Sequence, residues 1–228
     1  MAALSDIEII RRPGARRLRL AVDPVRGTVR LTLPKRAALK PALDWAESQA
    51  PWIAAQRARL PQPRPFAPGA TFPLGDERLT IDWAISHPRR IERQGDRLVV
   101  GGPLEGVSGR VATWLKRAAL ETLTAETHEF AARLGVSVTR VSVADPKSRW
   151  GSCASTGAIR YSWRLILAPA RVRRATVAHE VAHRVHMHHG PEFHALVKEL
   201  VGRDAETARA WLHREGTGLH WFGRDSAG

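Results

Sequence analysis

The sequence has little of what secreted and membrane-spanning proteins require. It contains a single cysteine, Cys153, which excludes an internal disulfide framework and indicates a reducing cytoplasm. No apolar run approaches the roughly 20 residues of a transmembrane helix. The first segment, residues 1–17, has two acidic residues before its first arginine and no long apolar stretch, so it does not resemble a secretory signal. We therefore expect a cytoplasmic protein with no membrane partner.

The chain also lacks a concentrated block of charge. Its net charge is +14, which first suggests a nucleic-acid partner. However, residues 1–100 carry 18 Lys and Arg against 10 Asp and Glu, and the remainder carries 18 against 12. This even distribution gives no basic tail that would identify nucleic acid as the partner. Histidine is distributed differently, because six of the 10 histidines fall within residues 179–194.

Strand patterns dominate the first part of the chain. Two apolar runs between residues 16 and 34, joined through Asp23-Pro24 and Gly27, predict a hairpin. Helical spacing follows over residues 37–60, and PQPRPFAPG at 61–69 is typical of a linker. Short strands are predicted between residues 78 and 100. The expected inner face of the helical segment comprises Leu43, Trp45, Trp52 and Ile53.

Helical patterns dominate the second part. A long amphipathic helix is predicted to end at Gly135, and later helices over 171–187, Pro191–Gly202 and 204–216, the last with Asp204 as its N-cap. Strands are predicted over 136–145 and 158–167, where arginines such as Arg164 alternate with apolar residues. We therefore expect an α+β fold. It comprises a strand-rich region over residues 1–103, followed by a helical domain with a small sheet over residues 104–228.

The segment His179-Glu180-Val181-Ala182-His183 carries the strongest chemical signal. If it is helical, His179 and His183 lie one turn apart on one face and can bind the same metal ion. Glu180 would then stand beside the metal without binding it, which is the position of a base that takes a proton from water. The alternative is a solvated helix end that happens to be rich in histidine.

A third ligand is available at His189, which follows His179 by ten positions and precedes the turn signal Gly190-Pro191. Three protein ligands and one open position are typical of catalytic rather than structural zinc. A glutamate from the following helices, Glu199 or Glu206, is the alternative third ligand.

Beyond these patterns, the sequence resembles the YgjP-type, SprT-like (WLM) zinc metallopeptidases. The resemblance rests on WGSC at 150–153, YSWRLILAP at 161–169 and VAHEVAHRVHMHHGPEFHALV at 177–197, and extends more loosely to the N-terminal region. It implies a zincin-like domain with Zn²⁺ on His179, His183 and His189, and with Glu180 as the catalytic acid/base. The chain departs from the family pattern at His188, Gly190 and His194, where the family typically has Asn, Ser and Trp.

These observations predict a zinc-dependent metallopeptidase that hydrolyses peptide bonds in a protein or peptide substrate. The strand 158–167 is either an edge that pairs with an extended peptide or plain core structure. Cys153 is expected to be a small buried thiol rather than a nucleophile. The candidate transition-state donors are Tyr161, His186 and Arg149.

The alternative function is a basic nucleic-acid-binding protein with a structural or non-catalytic zinc site. A protease that acts on proteins bound to DNA, as some SprT-like relatives do, would combine the two hypotheses. A protein of this fold that has lost its activity is a further possibility.

Overall fold

The structure is a computed structural model that describes residues 7–225. Residues 1–6 lie outside the described residues. They form the beginning of the segment 1–17, which we expected not to be a secretory signal. The chain divides into two compact units, one up to Gln62 and one from Pro63. No helix within residues 7–225 is long and apolar enough to cross a membrane.

The first unit combines a three-stranded sheet with two helices. Its elements are β1 (Ile7–Arg12), β2 (Arg19–Val22), β3 (Val29–Pro34), α1 (Leu39–Ser48) and α2 (Ala50–Arg57). The predicted hairpin is formed by β2 and β3, which pair antiparallel, while β1 pairs parallel with the other side of β3. Alternate residues of β3, Leu31 and Leu33, are fully buried against Ala42 and Ala46 of α1. Trp45 and Trp52 are exposed, so the expected inner face was wrong at these two positions.

Within residues 63–225, the second unit contains two sheets and four α-helices. Its strands are β4 (Thr71–Leu74), β5 (Glu77–Trp83), β6 (Glu92–Gln94), β7 (Arg97–Val100), β8 (Arg140–Ala144), β9 (Gly151–Cys153) and β10 (Ala158–Ser162). Its helices are α3 (Val107–Leu134), α4 (Ala170–Ala182), α5 (Pro191–Val201) and α6 (Asp204–Leu219). Short 3₁₀ helices span Leu104–Gly106 and Trp163–Leu167. The strand orders are β4-β5-β7-β6 and β8-β10-β9.

One hydrophobic core connects the strands of residues 71–100 with the later helices. Phe72, Leu79 and Leu98 are buried in the same cluster as Leu115 of α3 and Val177 of α4. The compact units therefore divide at 62/63, whereas the change from strand to helix patterns placed a boundary at 103/104. The division falls within the predicted linker, although Phe66 of that linker is itself buried in this core.

Three predicted elements end elsewhere than expected. The strand predicted over 158–167 stops at Ser162, whose hydroxyl accepts a hydrogen bond from the Arg164 backbone N–H at the start of the 3₁₀ helix. Helix α4 stops at Ala182 rather than at 187, and the chain continues in turns to Gly190. Helix α6 begins at Asp204 without a side-chain cap and runs past Gly216.

Arg164 connects distant parts of the second unit. Its side chain is buried, although Arg164 alternates with apolar residues in the predicted strand. The guanidinium donates two hydrogen bonds to the Asp145 carboxylate, at 2.7 and 3.2 Å, and further ones to the carbonyls of Leu219 and Phe222. The segment after β8 and the end of α6 are thereby held against the 3₁₀ helix.

Candidate metal centre

Helix α4 brings the histidine–glutamate motif into one turn. Apolar residues Val172, Val177 and Val181 are fully buried and fix the helix against the core. His179 is half-buried, and His183, at the C-cap, is buried. Their ring centroids lie 5.1 Å apart, as expected for residues separated by one helical turn.

The turn after α4 carries His189 back to the same place. Its Nε2 atom lies 3.1 Å from Nε2 of His179, and ligand nitrogens of His179, His183 and His189 all lie within 4.8 Å of one another. Within residues 7–225, this is the one group of three or more His, Cys, Asp or Glu side chains placed to hold a metal ion. The structure therefore brings together the three histidines that we predicted as ligands.

Hydrogen bonding and packing orient the three rings. His183 Nδ1 lies 3.0 Å from the His186 carbonyl oxygen; this contact places the proton on Nδ1 and leaves Nε2 free for a metal ion. Phe193 of α5 is fully buried, with its ring centroid 4.9, 4.5 and 4.8 Å from those of His179, His183 and His189. One aromatic side chain therefore contacts all three imidazoles.

The electrostatics of the cluster suit a metal ion. Burial, together with the charges of His183 and His189, lowers the pKa of His179 to about 4. Burial also lowers the pKa of His183. Near neutral pH these two imidazoles are thus unprotonated, which is the form that binds a metal. Three convergent imidazoles fit a divalent cation such as zinc.

Glu180 lies on the side of α4 that faces β9. The side chain is buried, and burial raises its pKa to about 7 although the positive charge of Arg149 acts to lower it. Gly151 makes this arrangement possible, because a Cβ atom at that position would lie only 2.5 Å from Glu180 Oε1. The WGSC sequence thus contributes a close backbone approach to the glutamate.

The sequence matches the YgjP-like metallopeptidase domain family over residues 16–215. The chain belongs to this family. Neither the comparison with curated proteins nor the comparison with solved structures gives a match. The family match extends over most of both compact units and includes all three clustered histidines.

Within this YgjP-like domain, the alternative ligands lie outside the histidine cluster. Glu199 and Glu206 are exposed on α5 and α6, and neither belongs to the group that could hold a metal. His188 is exposed and is also outside that group.

The candidate transition-state donors of the YgjP-like domain differ in their surroundings. Tyr161 is fully buried with its hydroxyl 3.0 Å from that of Thr127, so it is a core residue. The His186 ring lies 3.8 Å from the Glu192 carboxylate. Arg149 is exposed, and its charge acts on Glu180. Cys153 is a free, half-buried thiol whose pKa is raised by burial.

Of the two interpretations of the strand predicted over 158–167, a peptide-binding edge or plain core structure, the structure agrees with the second. Strand β10 lies in the middle of its sheet, paired with β8 on one side and β9 on the other, so it has no free edge. Strand β9 is an edge of this sheet and was not predicted as a strand. Strand β9 has three residues, and an apolar pattern of this length is too short to predict a strand from the sequence.

Proposed function

We propose that the chain is a zinc-dependent metallopeptidase in which His179, His183 and His189 bind Zn²⁺ and Glu180 is the general acid/base. The convergence of three imidazoles, with a buried carboxylate on the residue that follows the first of them, is the observation that supports this function. A structural site has no use for the carboxylate or for the open coordination position that three ligands leave. The family is one of metallopeptidases, which agrees with the proposal.

Zinc and the chain's own residues have separate roles in the proposed hydrolysis. A bound zinc ion supplies Lewis acidity toward water and the scissile carbonyl. Glu180 takes the proton from the attacking water and delivers it to the leaving amine, so the same carboxylate serves both halves of the reaction. Phe193 and the His186 carbonyl hold the imidazoles in their orientation.

An extended protein or peptide substrate is proposed to pair with β9. Because β9 is an edge strand, it has backbone groups that a peptide can bind by strand addition. Gly151 of this strand lies against Glu180, so a peptide along β9 passes close to the base. A cytoplasmic location stays a prediction, and the free thiol of Cys153 agrees with it.

Catalysis is tested by Glu180→Gln on the zinc-loaded protein, with a library of unstructured peptides as substrate. We expect hydrolysis to fall by about 100-fold or more, because general acid–base catalysis contributes that much, while the zinc content stays unchanged. Glu199→Gln, which neutralises an exposed glutamate on α5, is the control and retains activity. Equal rates for wild type and Glu180→Gln would leave a non-catalytic zinc protein, the alternative function.

The ligand set is tested by metal analysis of His183→Ala, His189→Ala and His188→Ala. We expect about one zinc per chain in the wild type and its loss in the first two variants. His188→Ala is the matched control, because it removes the neighbouring exposed imidazole and keeps the metal. If His188→Ala lost zinc and His189→Ala kept it, the third ligand would be shifted by one position.

A further inference from the structure

A second site lies at the start of α3 and shares no residue with the candidate metal centre. It is a pocket of about 470 Å³. Four of its lining residues are arginines, and an isoleucine and a tryptophan supply apolar surface. The lining includes Arg89, Arg90, Ile91, Arg110, Trp114 and Arg117. No carboxylate lines this pocket.

Glycines bring the arginines together. At Gly101, a Cβ atom would lie 1.9 Å from the His87 carbonyl oxygen. Only glycine therefore allows the backbone at this position to lie so close to the segment that leads to Arg89 and Arg90. At Gly106, a Cβ atom would lie 2.4 Å from Arg110 Nη1, so the Arg110 guanidinium rests directly over this backbone. The sequence between β7 and α3 is thus a glycine-rich connection from a strand into a helix.

The positive charge at this pocket is poorly compensated. The first turn of α3 has no acidic residue and no side-chain cap, so the positive end of the helix dipole adds to the arginines, although Glu105 lies in the 3₁₀ helix just before it. Arg110 Nε is buried without a hydrogen-bond partner in the part of the chain that the structure describes. Arg89 and Arg90 form no hydrogen bond or ion pair within residues 7–225. Glu121, at 3.9 Å from Arg117, is the carboxylate that pairs with a pocket arginine.

We propose that this pocket binds a nucleotide unit, either free or within a single strand. Guanidinium groups and a helix N-terminus are preferred ligands of phosphate. The half-buried Trp114 ring and Ile91 provide an apolar surface on which a planar base can stack. A pocket of this volume falls in the usual range for small-molecule sites, roughly 300–1,000 Å³. This binding is independent of the proposed peptidase reaction.

The test is equilibrium binding to the full-length protein in phosphate-free buffer. The ligands are thymidine monophosphate, inorganic phosphate, thymidine and a short oligothymidylate. The double variant Arg89→Ala/Arg90→Ala is compared with Arg78→Ala/Arg140→Ala, which removes the same charge from exposed positions on β5 and β8. We expect the pocket variant to lose about 10-fold or more in affinity for the monophosphate, and the control variant to bind like wild type.

Trp114→Leu separates the base from the phosphate. We expect it to weaken binding of thymidine monophosphate while leaving inorganic phosphate unaffected, with the thermal midpoint of each variant reporting that it is folded. If the oligothymidylate binds much more tightly than the monophosphate, the nucleotide unit belongs to a single strand. If the two ligands bind with similar affinity, the pocket binds a free nucleotide. The proposal is overturned if the monophosphate does not bind to wild type, if thymidine binds equally well, or if both double variants weaken binding alike.

Discussion

Gly151 shows how a residue without a side chain contributes to the candidate centre. A Cβ atom here would lie 2.5 Å from Oε1, 2.6 Å from Cγ and 2.7 Å from Cδ of Glu180. The backbone conformation of Gly151 is not left-handed, so the requirement for glycine is one of space alone. Any side chain must therefore displace the proposed base or move β9.

Gly151→Ala is expected to lower kcat/KM for peptide hydrolysis by about 100-fold, because a shift of about 1 Å in a reacting group has an effect of this size. Zinc content should stay near one per chain, since the three atoms nearest to the added methyl group belong to Glu180 and not to the histidines. Gly218→Ala is the control: an added Cβ meets nothing within 4 Å there, and activity is retained. Full activity of Gly151→Ala would show that the carboxylate does not need its present position.

Local geometry explains which site residues the sequence could predict. His179, Glu180 and His183 follow from helical spacing alone, and the turn signal Gly190-Pro191 directs attention to His189. The contacts of Phe193 with three imidazoles and of Gly151 with Glu180 depend on how α5 and β9 pack against α4. That packing leaves no periodic trace in the sequence, so these roles could be found only from the structure.

At the scale of elements, periodicity predicted the long helix α3 to its end, where Gly135 adopts a left-handed conformation with φ of 62°. Predictions from periodicity failed where specific hydrogen bonds replace the regular pattern. Arg184 donates to the carbonyls of Ser137 and Ser155 just after α4 ends, in a stretch that hydropathy reads as continuing helix. Likewise the apolar run Leu165–Leu167 is buried as a 3₁₀ helix rather than as a strand.

The ion pair that fixes this 3₁₀ helix predicts a dependence of stability on pH. Burial of Asp145 acts to raise its pKa, but hydrogen bonds from Arg164 and Lys147 outweigh it and lower the pKa from 3.8 to about 2. Because the folded-state pKa is depressed, the carboxylate stabilises the fold above about pH 4, and this contribution is lost as the pH falls toward 2. Asp145→Asn should therefore unfold more easily than wild type at pH 7, with a difference that shrinks toward pH 2.

The measurement is the free energy of unfolding in denaturant across pH for both proteins. His220 lies 3.9 Å from Asp145, and burial lowers its pKa to about 4, so the difference between variants is informative and the wild-type curve alone is not. Asp96→Asn, which alters an exposed residue in the turn between β6 and β7, is the control and should follow wild type. A pH-independent difference between Asp145→Asn and wild type would rule out titration of this carboxylate as the cause.

For the whole molecule, the strand and helix patterns could predict a mixed α+β fold but not the grouping of its parts. The strands of residues 71–100 contribute Phe72, Leu79 and Leu98 to the core that also contains the helices. A change from strand to helix patterns marks a change of element type, whereas a compact unit is defined by shared burial. Shared burial involves residues far apart in sequence, so the pattern change at 103/104 does not mark the limit of a compact unit.

This grouping predicts that the fragment 63–228 folds alone. Its core cluster extends from Phe66 to Phe222 and, among the residues that the structure describes, includes none of the first unit. It also carries His179, His183 and His189, so we expect it to bind about one zinc per chain, with its own cooperative thermal transition by circular dichroism. The same fragment with His183→Ala controls for adventitious metal and should bind none. A fragment that stays unfolded, or that folds without zinc while the full chain holds it, would show that residues before 63 are needed to form the site.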